Sequence, residues 1–172
     1  MGKLLLLQKL KKLTVGNLFV SLLGVPDGLE HQNHRNGDER NAMWARLKDE
    51  HLRQPFSLML HGGDQVYADE VTDGHRLSND WPKSVPDDPS YEELADLREH
   101  LRSGFFERYA ALYAAPQMAW LCARVPSLMQ WDDHDICDGG ASLKRRATHS
   151  AVGRTLFEAA KEMVLLFQHA TT

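Results

Sequence analysis

The sequence predicts an α/β domain, and three observations carry that expectation. Leu18–Leu23, Phe56–Leu60 and Pro126–Trp131 are apolar segments of strand length, too short to be helices. Each is stopped by turn residues: Gly24 and Pro26, Gly62 and Gly63, and the run Asp132-Asp133-His134-Asp135 before Gly139-Gly140. Between them the apolar residues recur at helical spacing, so strand, helix and strand alternate as in parallel βαβ units.

Bulk composition narrows the class. With 172 residues, 42% hydrophobic and 26% charged, the chain can bury one core and reads as neither disordered nor membrane-embedded. A net charge of −4 argues against a nucleic-acid scaffold role. No apolar run approaches the roughly 18 residues of a transmembrane segment. Cys122 and Cys137 fit no metal or redox spacing, which points to a reducing, cytoplasmic setting.

Taken in order, residues 1–17 form a basic N-terminal segment with Lys3, Lys9, Lys11 and Lys12 among leucines. Its apolar centre is too short for a signal peptide. An amphipathic helix or a loose end is the plain reading, with weak membrane-surface contact as a further option. Residues 18–172 are expected to form one domain. After the strand at Leu18–Leu23, Asp38 is placed to cap a helix running through Arg53, with Met43, Trp44, Leu47 and Leu52 facing inward.

The strand at Phe56–Leu60, apolar at Phe56, Leu58, Met59 and Leu60, predicts burial on both faces. It delivers Asp64 to the sheet edge where α/β proteins bind ligands, followed by Gln65, Tyr67 and Asp69. His61, ahead of the glycines, is expected to be structural. Val71–Pro89 carries Pro82, Pro86 and Pro89 and reads as a long polar loop. Ser90 and Glu93 make a capping box. The helix it opens places Leu94, Leu97 and Leu101 on one face and continues through Phe105, Phe106, Tyr109, Leu112 and Tyr113 to Pro116. One or two further helical turns are expected over residues 117–124.

The third strand then ends in three aspartates around His134. Crowded carboxylates repel one another unless a cation or hydrogen-bond donors relieve them. Two strand tips carrying hard oxygen ligands, one adding an imidazole, suit one or two metal ions. Cys137 is expected to be a small buried residue. Lys144-Arg145-Arg146 reads as a solvated cluster, and Leu156, Phe157, Ala160, Met163, Val164 and Phe167 form the apolar stripe of a last helix.

The blocks Gly63-Asp64-Gln65-Val66-Tyr67-Ala68-Asp69 and Trp131-Asp132-Asp133-His134-Asp135, with Asp138-Gly139 following, resemble the GDxxYAD and WDDHD motifs of PhoD-like phosphatases. These are a branch of the metallophosphoesterase (calcineurin-like) superfamily. The resemblance implies a metallo-dependent phosphatase fold, a β-sheet core flanked by helices, here partial relative to the family's αββα sandwich. It implies a dinuclear site: Asp64 bridging two ions, Tyr67 binding ferric iron as a phenolate, and Asp133 binding calcium, with other divalent ions as alternatives. His134 is implied to assist the leaving group, with Asp135 orienting its imidazole. The implied activity is hydrolysis of a small phosphoester substrate, by phosphomonoesterase or phosphodiesterase chemistry.

Two features depart from the family pattern. The first strand runs into Gly24-Val25-Pro26-Asp27 without a cysteine or a DxH motif, leaving Asp27 as a weak substitute. The family's C-terminal GHxH block has no counterpart, His149 and His169 lying in no such motif. The expectation is an N-terminal portion lacking a C-terminal half. The alternative is a non-catalytic fragment or pseudoenzyme that keeps part of the metal site and acts by binding.

Overall fold

A computed structural model describes the backbone of residues 17–21 and 37–171, and side chains from Asn41 to Thr171. The segment 1–16, the residue Asp27 and the side chain of Asp38, expected as a cap, lie outside what is described. Three parallel strands form the sheet: β1 (Asn17–Ser21), β2 (Phe56–His61) and β3 (Ser127–Met129), in that spatial order. Leu18 pairs with Leu58 and Ser21 with His61, while Met59 pairs with Ser127 and His61 with Met129. Both connections are helical crossovers, as parallel pairing requires. The fold class is therefore α/β.

The first crossover is α1 (Gly37–Arg53). It buries Trp44 and Leu47 against Met59 of β2 and against Met118, Leu121 and Val125. Met118 and Leu121 belong to α3 (Pro116–Cys122), which starts with proline at its first turn, where the missing N–H costs nothing. Leu52 does not face inward; it is 62% exposed at the end of α1.

The second crossover is longer. The capping box forms as expected: the Ser90 hydroxyl accepts from the Glu93 amide, and the Glu93 carboxylate accepts from the Ser90 amide. It opens α2 (Tyr91–Ala114), whose Leu97, Leu101, Phe105 and Tyr109 are fully buried. Those residues pack on Val152, Leu156, Ala160, Met163 and Val164 of α5 (Ala151–His169), which follows the single turn α4 (Arg145–Thr148). Phe106 and Phe157 fall outside this seam and remain partly exposed.

Two expectations need correction. β2 is not equally buried on its two faces: Met59 and His61 on one face are buried, Leu58 and Leu60 on the other only partly, and Leu128 of β3, paired with Leu60, is 62% exposed. The described helices cover one side of the sheet more fully than the other, so the alternation typical of half-covered strands prevails. The stretch 71–89 is not a loose loop. Val71, Leu77 and Trp81 are buried in the larger core, and Ser78 is buried with its hydroxyl donating to the Thr72 carbonyl at 2.6 Å. Its apolar residues are isolated among polar ones, so no periodicity announces their burial. Among the described residues, no helix is long and apolar enough to cross a membrane.

Candidate metal centre

The site forms where the tips of β2 and β3 meet. Gly63, at φ 106°, permits the contact: a Cβ there would lie 2.5 Å from Cβ of Asp132 and 2.8 Å from its backbone nitrogen. The chain then passes Asp64 in the left-handed region, at φ 52°, which aspartate tolerates better than most residues. Backbone bonds close the seam, with Gln130 N–H donating to the His61 carbonyl at 3.2 Å and Ala68 N–H to the His134 carbonyl at 3.0 Å. His61 is structural, as expected. Its buried ring bonds Gln65 Oε1 at 2.8 Å and Ser127 Oγ at 3.3 Å, and burial lowers its pKa.

Asp135 ties the two tips together. Oδ1 accepts from the amides of Gln65 and Val66 at 3.0 and 3.2 Å, and Oδ2 accepts from the amide of Asp132 at 2.9 Å. The residue is fully buried, which pushes its pKa up to about 6 against the opposing pull of those amides. It does not orient the imidazole of His134, contrary to expectation. Adjacent side chains diverge on the 3-10 turn Asp133–Asp135, so Asp135 points into the chain crossing. The partner of His134 is Asp69, whose Oδ2 lies 2.9 Å from Nδ1.

Asp69 also accepts from the Asp138 amide at 2.6 Å. Nε2 of His134 faces the exposed Asp138 carboxylate at 3.7 Å. Burial alone pulls the imidazole pKa down. The Asp69 hydrogen bond and the charges of Asp69, Asp133 and Asp64 outweigh it and hold the group above its ordinary value. The Tyr67 ring lies 4.5 Å from the His134 ring. Burial, then the nearby carboxylates of Asp64, Asp69 and Asp133, raise the phenol pKa.

Asp64, Tyr67, Asp133 and His134 therefore share one region. Ligand atoms of Asp64, Asp132 and Asp133 lie within 4.8 Å of one another, as do those of Asp133, His134 and Asp138. Asp133 belongs to both groups, and its Oδ2 is steadied by the Gly139 amide at 2.9 Å. Burial, with Asp132 and Asp133 adding to it, raises the Asp64 pKa. Asp64 Oδ1 is buried and, among the described residues, has no hydrogen-bond partner. A buried acceptor left unsatisfied costs about 1–3 kcal/mol, and a cation would relieve it. The donor set, carboxylates with one phenol and one imidazole, suits hard or borderline ions. The residues present thus fit a metal centre.

Beside it, a cavity of about 250 Å³ has Tyr67, Gln65, Trp44, Asn41 and Arg108 in its walls. Arg108 pairs with Glu70 at 2.6 Å and anchors the turn after Asp69 to α2. Asp69, Asp132 and Asp138 were not singled out as site residues from sequence. Asp69 closes the GDxxYAD block, so the signal was present in the motif.

Residues 29–172 match the PhoD related phosphatase family along most of the chain. The chain belongs to that family. A similar protein is the uncharacterized protein YGR266W of Saccharomyces cerevisiae, 23% identical over 145 residues. That match takes in 75% of this chain and 21% of the yeast protein, so this PhoD-related chain spans about a fifth of that relative's length. No solved structure matches it.

Proposed function

We propose that the chain is a metal-dependent phosphoric ester hydrolase, acting as a phosphomonoesterase or phosphodiesterase through a dinuclear centre on a partial metallophosphatase fold. The observation that carries this reading is the orphaned, buried Oδ1 of Asp64 inside a group of three carboxylates. Asp64, Tyr67 and Asp133 hold the ions in this reading, with ferric iron at the tyrosine and calcium at Asp133. When bound, such a pair neutralises phosphate oxygens and supplies hydroxide at moderate pH.

The remaining roles fall to the chain's own groups. Asp69 accepts from Nδ1–H of His134, which leaves Nε2 on the side of the exposed Asp138 carboxylate. The Asp69 carboxylate favours a protonated imidazole, so His134 can donate a proton to the departing alkoxide. Asp135 fixes the relative position of the two strand tips, and hence of Asp64 and Asp133. The cavity beside Tyr67 receives the alcohol portion of the ester.

The test is hydrolysis of a chromogenic phosphoester by the chain loaded with iron and calcium, with bound metal measured by elemental analysis. Turnover is expected, and Asp64→Asn is expected to abolish it. Metal retention with no turnover above a metal-only blank would favour the second reading, a partial site that acts by binding. One observation favours that alternative: among the described residues a single histidine, His134, joins the carboxylate groups, while His149 and His169 do not.

A further inference from the structure

Residues 64–99 hold eleven acidic side chains against three basic ones, Arg76, Lys83 and Arg98. Arg76 pairs with Glu93 and Arg98 with Glu162. Lys83 pairs with no described residue, although it lies in the most acidic part of the chain. It lines a cavity of about 640 Å³ that Lys144 and Arg146 also line. Neither of those forms an ion pair with a described residue. A single carboxylate, Asp87, shares the lining.

This arrangement is more than a cluster on one short run. The three cations, though exposed, come from two segments some sixty residues apart and line one concavity. The walls are also held in place. Trp81 and Ala147 are buried in the same core, and the Trp81 indole N–H donates to the Ala147 carbonyl at 3.4 Å. Val85 and Leu143, both in the lining, pack against that core as well. Preorganised walls reduce the ordering cost of binding.

We propose that this basic cavity is a second binding site, separate from the carboxylate centre, that takes a multiply charged phosphate-bearing anion. Like charges gathered around one concavity without described ion-pair partners are relieved by an anion, and arginine and lysine both serve phosphate, the arginine bidentately. The volume lies within the roughly 300–1,000 Å³ of small-molecule clefts, so it suits an oligophosphate or a phosphorylated headgroup rather than a lone oxyanion. None of Lys83, Asp87, Lys144 and Arg146 belongs to either carboxylate group.

The test uses the full chain in chelator, so the outcome is independent of any hydrolytic activity. Sodium tripolyphosphate, titrated calorimetrically at low salt, is expected to bind saturably with one site per chain. Replacing both Lys144→Gln and Arg146→Gln is expected to weaken binding by about tenfold or more, and Asp87→Asn to tighten it. All these side chains are exposed, so melting temperatures should not change. Cosedimentation with phosphatidylcholine vesicles, with and without phosphoinositide, separates the two sources of the anion. Binding to phosphoinositide vesicles but not to tripolyphosphate, lost in the same double variant, assigns the site to a lipid headgroup. Absence of saturable binding to both probes overturns the proposal, as does binding indifferent to the three substitutions, which would point to the lysine-rich N-terminus.

Discussion

Asp69 and Asp135 present the same functional group, and their surroundings divide their tasks. Asp69 is part-exposed and shares its oxygens between the His134 imidazole and the Asp138 amide. Asp135 is fully buried and spends both oxygens on backbone amides from two strand tips. Replacing each with asparagine should therefore give opposite signatures. Asp69→Asn removes the charge that holds His134 in its protonated form, so turnover should drop by about a hundredfold with little change in melting temperature. Asp135→Asn places an amide N–H₂ among N–H donors, and should cost about 2–3 kcal/mol in urea denaturation. Equal stability losses in both variants would refute this division.

At the scale of elements, the crossing of the two strand tips rests on Gly63. A methyl group there meets both a left-handed backbone and the body of Asp132 at 2.5 Å. Gly74 is a natural control, because its φ is +79° but its nearest neighbour to a new Cβ is 3.8 Å away. Gly74→Ala should cost about 1 kcal/mol from backbone strain alone. Gly63→Ala should cost at least about 2 kcal/mol and should also lower metal content, since it separates Asp64 from Asp133. Matching melting curves for the two variants would count against the close approach. Elements of this size were readable when their signal was local. The Ser90–Glu93 box and the β2 run both formed where their residues said, whereas the packed turns of 71–89 were not readable, because single buried residues such as Leu77 and Trp81 leave no period.

Across the whole molecule, α2 and α5 are joined at the surface by Glu162, which takes Arg102 at 2.8 Å and Arg98 at 3.1 Å. Partial burial raises the Glu162 pKa, but the hydrogen bonds and charges of the two arginines outweigh it and leave the group below its ordinary value. A carboxylate depressed in the folded state stabilises the fold above its unfolded pKa of 4.5, and that contribution disappears as pH falls through the lower folded value. Glu162→Gln should thus lower stability at neutral pH by about 1 kcal/mol or less, the pair being solvent-screened. The difference from wild type should shrink in melts run progressively below pH 4.5. A difference that stays constant with pH would assign the effect to packing instead.

The sequence by itself determined the α/β alternation, the parallel crossovers, the capping box and the two blocks that place the chain among PhoD-related phosphatases. Each of these is written in neighbouring residues, through strand and helix periods, glycine stops or fixed motif spacing. Only the tertiary structure decided that His134 takes Asp69, sixty-five positions away, rather than the adjacent Asp135, and that Lys83 shares a cavity with Lys144 and Arg146. Those pairings depend on where separate strand tips and turns come to rest after the core has packed. Side-chain partners at such separations are set by the meeting of surfaces, for which the chain carries no local period.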